Sequence, residues 1–239
     1  RYNSFIEREG YTMKITYHGH SVLSIITEDG QKLLFDPFIT GNSLTDLKTN
    51  EVETDWLLIT HGHSDHIGDM IPIAKHNDAT VISNVEICSF AEKNGVNKTH
   101  GMNIGGKFDF PFGRVKMVHA QHSSGYEVDG QMIYMGEPAG FIFQTEGKTI
   151  YHAGDTSNFG DMSLFGEAFD IDIAFLPIGD NFTMGPSEAA NAAKRLRAKK
   201  VVPIHFNTFP LIKQDPEAFI KLLPENVGKV MAVGETITL

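Results

Sequence analysis

The apolar positions of this chain come in short bursts, and their period changes in the same way twice. From Met13 onward, brief apolar runs cut by turn residues give a strand pattern. Strand-like runs then alternate with helical periods, and the succession repeats after residue 107. Residues 14–17, 21–27 and 32–35 read as strands, with Asp29-Gly30 closing the hairpin between the last two and Asp36-Pro37 ending the third. Residues 56–60 read as a buried strand, 68–76 as a helix, 80–83 as a short strand, and 85–93 as a helix stopped by Asn94-Gly95. In the second round, residues 107–110, 114–120, 140–145 and 149–152 are predicted strands, with a tight turn at Glu146-Gly147. Alternation follows: strand 171–177, helix 186–197 with a proline in its first turn, strand 201–204, helix 216–222, and closing strands at 229–233 and 236–239. A strand block followed by strand–helix alternation in each half predicts an α/β (α+β) chain with two sheets and helices packed outside them.

No stretch is long or polar enough to separate two folding units, so residues 13–239 are expected to form a single domain. Residues 1–12 carry no pattern and are read as a leader or a short added extension. The apolar fraction of 41% fits a globular chain rather than a disordered one. A formal charge of −10 argues against tight binding of long nucleic acid. The one basic run, Lys194 to Lys200, reads as the solvated face and end of a helix. Cys88 is the only cysteine and is expected as a packed thiol on a helix. No apolar run reaches membrane-spanning length and no signal peptide is visible, so a cytoplasmic protein without membrane association is expected; a homo-oligomer stays open.

The picture changes at Thr60-His61-Gly62-His63-Ser64-Asp65-His66. Three imidazoles and a carboxylate leave the tip of a buried strand together. With 11 histidines in 239 residues, a chance match to His-x-His-x-Asp-His is expected in roughly one such chain per thousand. Alternate residues share a face, so His-x-His can grip one ion while Asp-His grips a neighbour. Gly62 inside the cluster excludes the helical His-Glu-x-x-His arrangement of zinc proteases. Further donors stand at the ends of other predicted strands: His122, Asp155 and His205. His119 competes with His122 but sits in mid-strand.

These motifs, together with Tyr17-His18-Gly19-His20-Ser21, Asp36-Pro37-Phe38, His152-Ala153-Gly154-Asp155-Thr156, residues 179–186 and Pro203-Ile204-His205-Phe206-Asn207-Thr208, make the chain resemble the metallo-β-lactamase superfamily. Within it, the chain is similar to small bacterial metal-dependent hydrolases related to ascorbate-phosphate lactonases. The resemblance implies a four-layer αββα sandwich with the site at one edge between the sheets. It implies that His61, His63 and His122 hold a first ion, that Asp65, His66 and His205 hold a second, and that Asp155 bridges them. His63 stands where oxygen-reducing di-iron relatives carry a glutamate, which argues for hydrolysis. Asp36 is implied to orient a ligand histidine; on its own it reads equally as a turn starter before Pro37.

Around these groups, His20 is expected either to touch substrate or metal, or to be a buried hydrogen-bonded imidazole. Asn181 and Thr183 precede a helix N-terminus that suits an anionic group, and Asn207 stands beside a ligand. Two divalent ions sharing Asp155 would share a water whose pKa falls from about 16 to about 7, giving a metal-bound hydroxide that Asp65 orients or relieves of its proton. Zn2+ is the first expectation, with Mn2+, Ni2+ or Fe2+ open. The expected reaction is cleavage of an ester-type bond in a small, anionic substrate: a phosphorylated lactone, a phosphodiester or a carboxylic ester. A nuclease acting on short RNA or DNA and a non-enzymatic metal-binding sensory module are the alternatives.

Overall fold

A computed structural model of the chain describes residues 12–239; the extension expected over residues 1–12 lies, apart from Thr12, outside them. Among the described residues, one sheet holds seven strands. β1 (Lys14–Tyr17), β2 (Leu23–Ile26), β3 (Lys32–Phe35), β4 (Trp56–Leu58), β5 (Thr80–Asn84) and β6 (Thr99–Met102) lie in sequence order, and β15 (Thr236–Thr238) borders β1. β1 to β3 pair antiparallel, whereas β3 to β6 are parallel and need crossovers. Those crossovers carry α1 (Ser64–Ile67), α2 (Met70–Asn77) and α3 (Val85–Lys93). The second sheet holds six strands in the order β14, β13, β12, β11, β8, β7. These are β7 (Lys107–Phe110), β8 (Gly113–His119), β11 (Ala139–Thr145), β12 (Lys148–His152), β13 (Ile173–Pro177) and β14 (Lys200–Ile204). Its parallel strands are β12, β13 and β14, joined through α4 (Met162–Ala168) and α5 (Pro186–Leu196), and α6 (Pro216–Ile220) follows. A separate hairpin, β9 (Gly125–Val128) and β10 (Gln131–Tyr134), stands between β8 and β11.

The strands sort their side chains into layers because neighbours along a strand face opposite ways. Leu33 and Phe35 join Phe141, Phe143 and Phe175 between the sheets. Leu34, Leu57 and Val81 turn outward to Ile67, Met70 and Ile87 on α1 to α3. Ile142, Ala174 and Leu176 turn outward to Met162 on α4 and to the alanine face of α5. The result is the helix–sheet–sheet–helix order expected. No helix among the described residues is long and apolar enough to cross a membrane.

Three expectations change. Residues 229–233 form no strand: Val201 bridges Gly228 in the second sheet, and Gly234 and Glu235 already bond Tyr17 in the first, so the segment spans the gap between sheets and cannot ladder with either. The helix expected over residues 68–76 is α2, and a short helix that was not expected, α1, precedes it. Gly68 ends α1 in a left-handed conformation (φ 44°), and α2 starts two residues later. β6, β9, β10 and α4 were not expected; β10 is exposed throughout and α4 buries only Met162, so neither carries an apolar period. Cys88 is buried on α3 as expected, and burial pushes its thiol up to about 11.

Candidate metal centre

All seven donors singled out in the sequence meet at one edge of the sandwich, on segments that leave the carboxyl ends of strands. His61, His63, Asp65 and His66 follow β4, His122 follows β8, Asp155 follows β12 and His205 follows β14. Two groups of donor atoms result: His61, His63, His122 and Asp155, and next to them His20, Asp65, His66 and His205. His119 stays outside, with its ring against Phe159 at 5.3 Å.

The proton positions follow from the bonds behind the rings. Asp36 is fully buried at the end of β3, and its Oδ2 accepts from the Thr60 hydroxyl at 2.8 Å. A hydroxyl has one proton, so the Thr60 oxygen must accept from the other neighbour, His61 Nδ1, 3.0 Å away. That leaves His61 Nε2 as a bare lone pair. The same Oδ2 accepts from His66 Nδ1 at 2.8 Å, which frees His66 Nε2. His63 places Nε2 on Ser123 Oγ at 3.2 Å and turns Nδ1 inward. His61 Nε2 then lies 3.0 Å from His63 Nδ1, and His122 Nε2 lies 3.2 Å from the same atom. His63 Nδ1 can share a proton with only one of these two nitrogens, whereas a cation among the three would satisfy all of them. Nitrogens bound tetrahedrally to zinc at about 2.0–2.1 Å stand about 3.3 Å apart, so the spacing fits an ion.

Asp155 connects the two groups. Its Oδ1 is 3.2 Å from His66 Nε2, and its Oδ2 is 3.0 Å from His205 Nε2, 3.6 Å from His122 Nε2 and 3.9 Å from His61 Nε2. Asp155 Oδ1, His66 Nε2 and His205 Nε2 are nevertheless buried without a hydrogen-bond partner, because the short separations are not aligned for proton sharing. Orphaned polar atoms aimed at a common point are what a cation satisfies. His20, which the sequence left between two roles, is fully buried. It bonds Thr208 Oγ1 through Nδ1 at 2.9 Å and Asp65 Oδ2 through Nε2 at 3.1 Å. His20, Asp36 and His205 all have left-handed backbone (φ 57°, 44° and 54°), a conformation costing about 1–3 kcal/mol each and typical of sites held in place by their surroundings.

Electrostatics prepares the same arrangement. Burial, and the charges around them, keep His61 well below the usual imidazole range and His122 at about 4, so both rings are neutral and able to serve as ligands. Burial opposes charge on Asp155, yet His205 and His66 beside it hold its carboxyl well below the usual range. Burial also opposes charge on His205, but Asp155 overcomes it and raises that imidazole to about 9; Asp155 and Asp36 raise His66 in the same way. Loading an ion therefore displaces protons. Affinity weakens as pH falls below about 9, and calorimetric titrations at pH 7.5 in buffers of different ionisation enthalpy detect about two protons released per chain. Because Asp36 sets both His61 and His66, Asp36→Ala lowers metal affinity about 10- to 100-fold, read by competition with a chromogenic chelator.

A cavity of about 700 Å³ opens over Asp65, Asp155 and His205, and a second of about 510 Å³ over His63 and His122. Asn181, Thr183 and Asn207 do not line either. The Asn181 amide bonds the Asp180 carboxylate, and Asn207 Oδ1 accepts from Gln214 N. The residues that do line the larger one and were missed are Phe38, Phe182, Phe209 and Leu211. Their signal was present: Phe182 between Asn181 and Thr183, and Phe209 and Leu211 just after His205, are apolar residues in loops that should be polar. His152 accepts from the Gly154 amide through Nδ1 and donates through Nε2 to the Ser21 carbonyl, pinning the turn that presents Asp155.

The site sits in a chain with clear relatives. Residues 31–206 match the model of the β-lactamase superfamily domain. A protein of Geobacillus sp. (strain WCH70) named a UPF0173 metal-dependent hydrolase is 58% identical over 228 residues, covering 95% of this chain and 100% of its own length. Among solved structures, Igni18, a metallo hydrolase from the hyperthermophilic archaeon Ignicoccus hospitalis, superposes with a TM-score of 0.84 at 37% identity, over 96% of this chain and 99% of its own. The metallo-β-lactamase fold protein YhfI of Bacillus subtilis superposes at 0.72 with 14% identity, over 95% of this chain and 99% of its own, a likeness of fold alone. The chain belongs to the β-lactamase superfamily and, within it, to the metal-dependent hydrolases that the first two represent, with its two sheets and outer helices forming the metallo-β-lactamase fold.

Proposed function

We propose that the centre holds two divalent ions and cleaves an ester-type bond in a small substrate. His61, His63 and His122 hold the first ion, Asp65, His66 and His205 hold the second, and Asp155 is shared. The observation that carries this reading is the convergence of three imidazole nitrogens, with His63 Nδ1 3.0 Å from His61 Nε2 and 3.2 Å from His122 Nε2, beside a carboxylate that also reaches the second group. The all-imidazole first set favours Zn2+, with Mn2+, Ni2+ or Fe2+ as occupants if supply dictates. Ions bound there lower the pKa of a water and polarise the ester oxygen.

The chain's own part is orientation and proton handling. Asp65 lines the cavity, and its Oδ2 is engaged by His20 at 3.1 Å and faces His205 at 3.6 Å. Its other oxygen is left to orient water or accept its proton. His20 holds that carboxylate in place from a fully buried position. The residues lining the two cavities include no lysine or arginine. Any anionic part of the substrate must then lie against the ions, and a nucleic-acid backbone finds no cationic track, which disfavours the nuclease reading.

The test is metal analysis of protein loaded with Zn2+ or Mn2+, followed by a panel of chromogenic carboxylic esters, lactones and phosphodiesters. Two ions per chain and turnover that a chelator abolishes are the expected results. A single ion per chain, or failure of the loaded protein on every class, overturns the reading.

A further inference from the structure

Four apolar side chains form one wall of the larger cavity, and the proposed hydrolysis gives them no role. Phe38 follows Asp36, Phe182 lies on the loop between β13 and α5, and Phe209 and Leu211 lie between β14 and α6. They grade from floor to rim: Phe38 is 8% exposed, Phe182 51% and Leu211 66%. The rings of Phe38 and Phe209 lie tilted to each other at 6.1 Å, and each meets the His20 imidazole edge to face. The wall is therefore continuous with the ion site. The Phe182 loop is held in shape, with left-handed backbone at Asp180 and Asn181 (φ 61° and 49°) and the Phe182 amide bonded to the Asp180 carbonyl. An exposed phenyl and an exposed isobutyl lining the same cavity lose water when an apolar group fills it.

The second cavity differs. It shares His63, His122 and Ser123 with the first, so the two meet over the ions. Its walls mix Ser124 and Glu137, whose Oε1 accepts from the Tyr134 hydroxyl at 2.9 Å, with Met132, Ile133 and Pro138. The substrate would then lie across His63 and His122, with an apolar half on the His205 side and the remainder on the Glu137 side.

We propose that the substrate is an ester bearing an apolar substituent of several carbons, which Phe38, Phe182, Phe209 and Leu211 bind beside His205. Specificity for that substituent lies in Phe182 and Leu211, the two rim residues. This inference rests on ester-type hydrolysis at the ion site but is tested separately from it.

Two measurements on the Zn2+-loaded protein decide it. The first is kcat/KM for p-nitrophenyl acetate, butyrate and hexanoate and for a matching series of alkyl acetates. The second is calorimetric binding of acetate and hexanoate, which needs no turnover. A fully buried methylene is worth about 0.8 kcal/mol, or about fourfold, so a half-open lobe should give about twofold per carbon. In one ester series and in binding, the six-carbon member should exceed the two-carbon member at least about tenfold. Leu211→Ser and Phe182→Ser should each cut that ratio severalfold with little change in Tm, since both side chains are exposed. Hydrolysis with a flat dependence on chain length, or ratios unchanged in both variants, overturns the proposal. Tighter hexanoate binding with no ester turned over sustains the apolar lobe and removes the ester reading instead. Self-association that Leu211→Ser abolishes, with flat chain-length dependence, assigns the rim to a second copy and overturns the proposal.

Discussion

Asp155→Asn should abolish stable metal binding at both positions and lower kcat/KM by at least about a thousandfold, while leaving a folded protein. The expectation comes from the number of groups that depend on one side chain. A single carboxylate, 2% exposed, stands within 4 Å of four imidazoles drawn from both donor groups. An amide keeps its shape but presents one acceptor oxygen and no charge. His66 and His205 lose the charge that raises their pKa, and the two proposed ions would lose the ligand they share. Charge stabilisation by a bound ion is worth several kcal/mol, and 1.36 kcal/mol is a factor of ten, which sets the thousandfold floor. Asp36→Ala, by contrast, only loosens two ligands from behind. Metal content after dialysis, measured by atomic emission, and kcat/KM on the best substrate check the prediction. An Asp155→Asn protein that keeps two ions per chain and activity within tenfold would exclude a bridging role.

The largest expected effect on stability lies at a residue with no side chain. Gly68→Ala should cost about 3 kcal/mol or more, and so lower Tm by about 6–12 °C for a chain of this size. Gly68 sits at φ 44° and ψ −122°, outside the regions open to other residues, and closes α1 by donating to the Ser64 carbonyl at 3.0 Å. A methyl group there would overlap the Pro37 carbonyl oxygen and meet Phe38 Cα at 2.7 Å, both backbone atoms that cannot turn aside. The Asp69 amide bonds that same Pro37 carbonyl, so the loop after β3 is fastened to the α1–α2 junction. Asp36 and His66 lie on the two sides of this seam, 2.8 Å apart. Pushing it open should also weaken metal binding. Thermal unfolding followed by circular dichroism, with a chelator titration on the same sample, gives both readings. A Tm change under about 2 °C would show that the seam yields freely.

Much of the fold was legible because it rests on local periodicity. β1, β3, β7 and α3 begin and end where the pattern predicts. Leu33-Leu34-Phe35 and Phe141-Ile142-Phe143 read as continuous apolar runs because both faces of their strands are covered, one by a sheet and one by helices. β10 and α4 were hidden for the opposite reason: each buries too little to impose a period. Residues 229–233 looked like a strand, but pairing depends on what lies alongside, and only Lys229, bonded to the Val201 carbonyl, meets a strand before the segment crosses to the other sheet. The donor set was legible because ligands must be particular residue types at strand ends. His20 was left ambiguous because a buried imidazole and a ligand have the same local sequence.

The residue types and their spacing determined, without help from the rest of the molecule, that this chain carries a metal-type donor set at strand tips and packs strands between outer helices. Tertiary structure alone decided how those donors group, because residues as far apart as His20 and His205 come together only when the two sheets close, bringing their rings to 4.1 Å. It also decided that Phe182 and Leu211, rather than Asn181, Thr183 and Asn207, face the cavity. The physical reason is that ligand identity is a property of single residues, whereas convergence and facing depend on where loops from different sheets are carried by the packing between them.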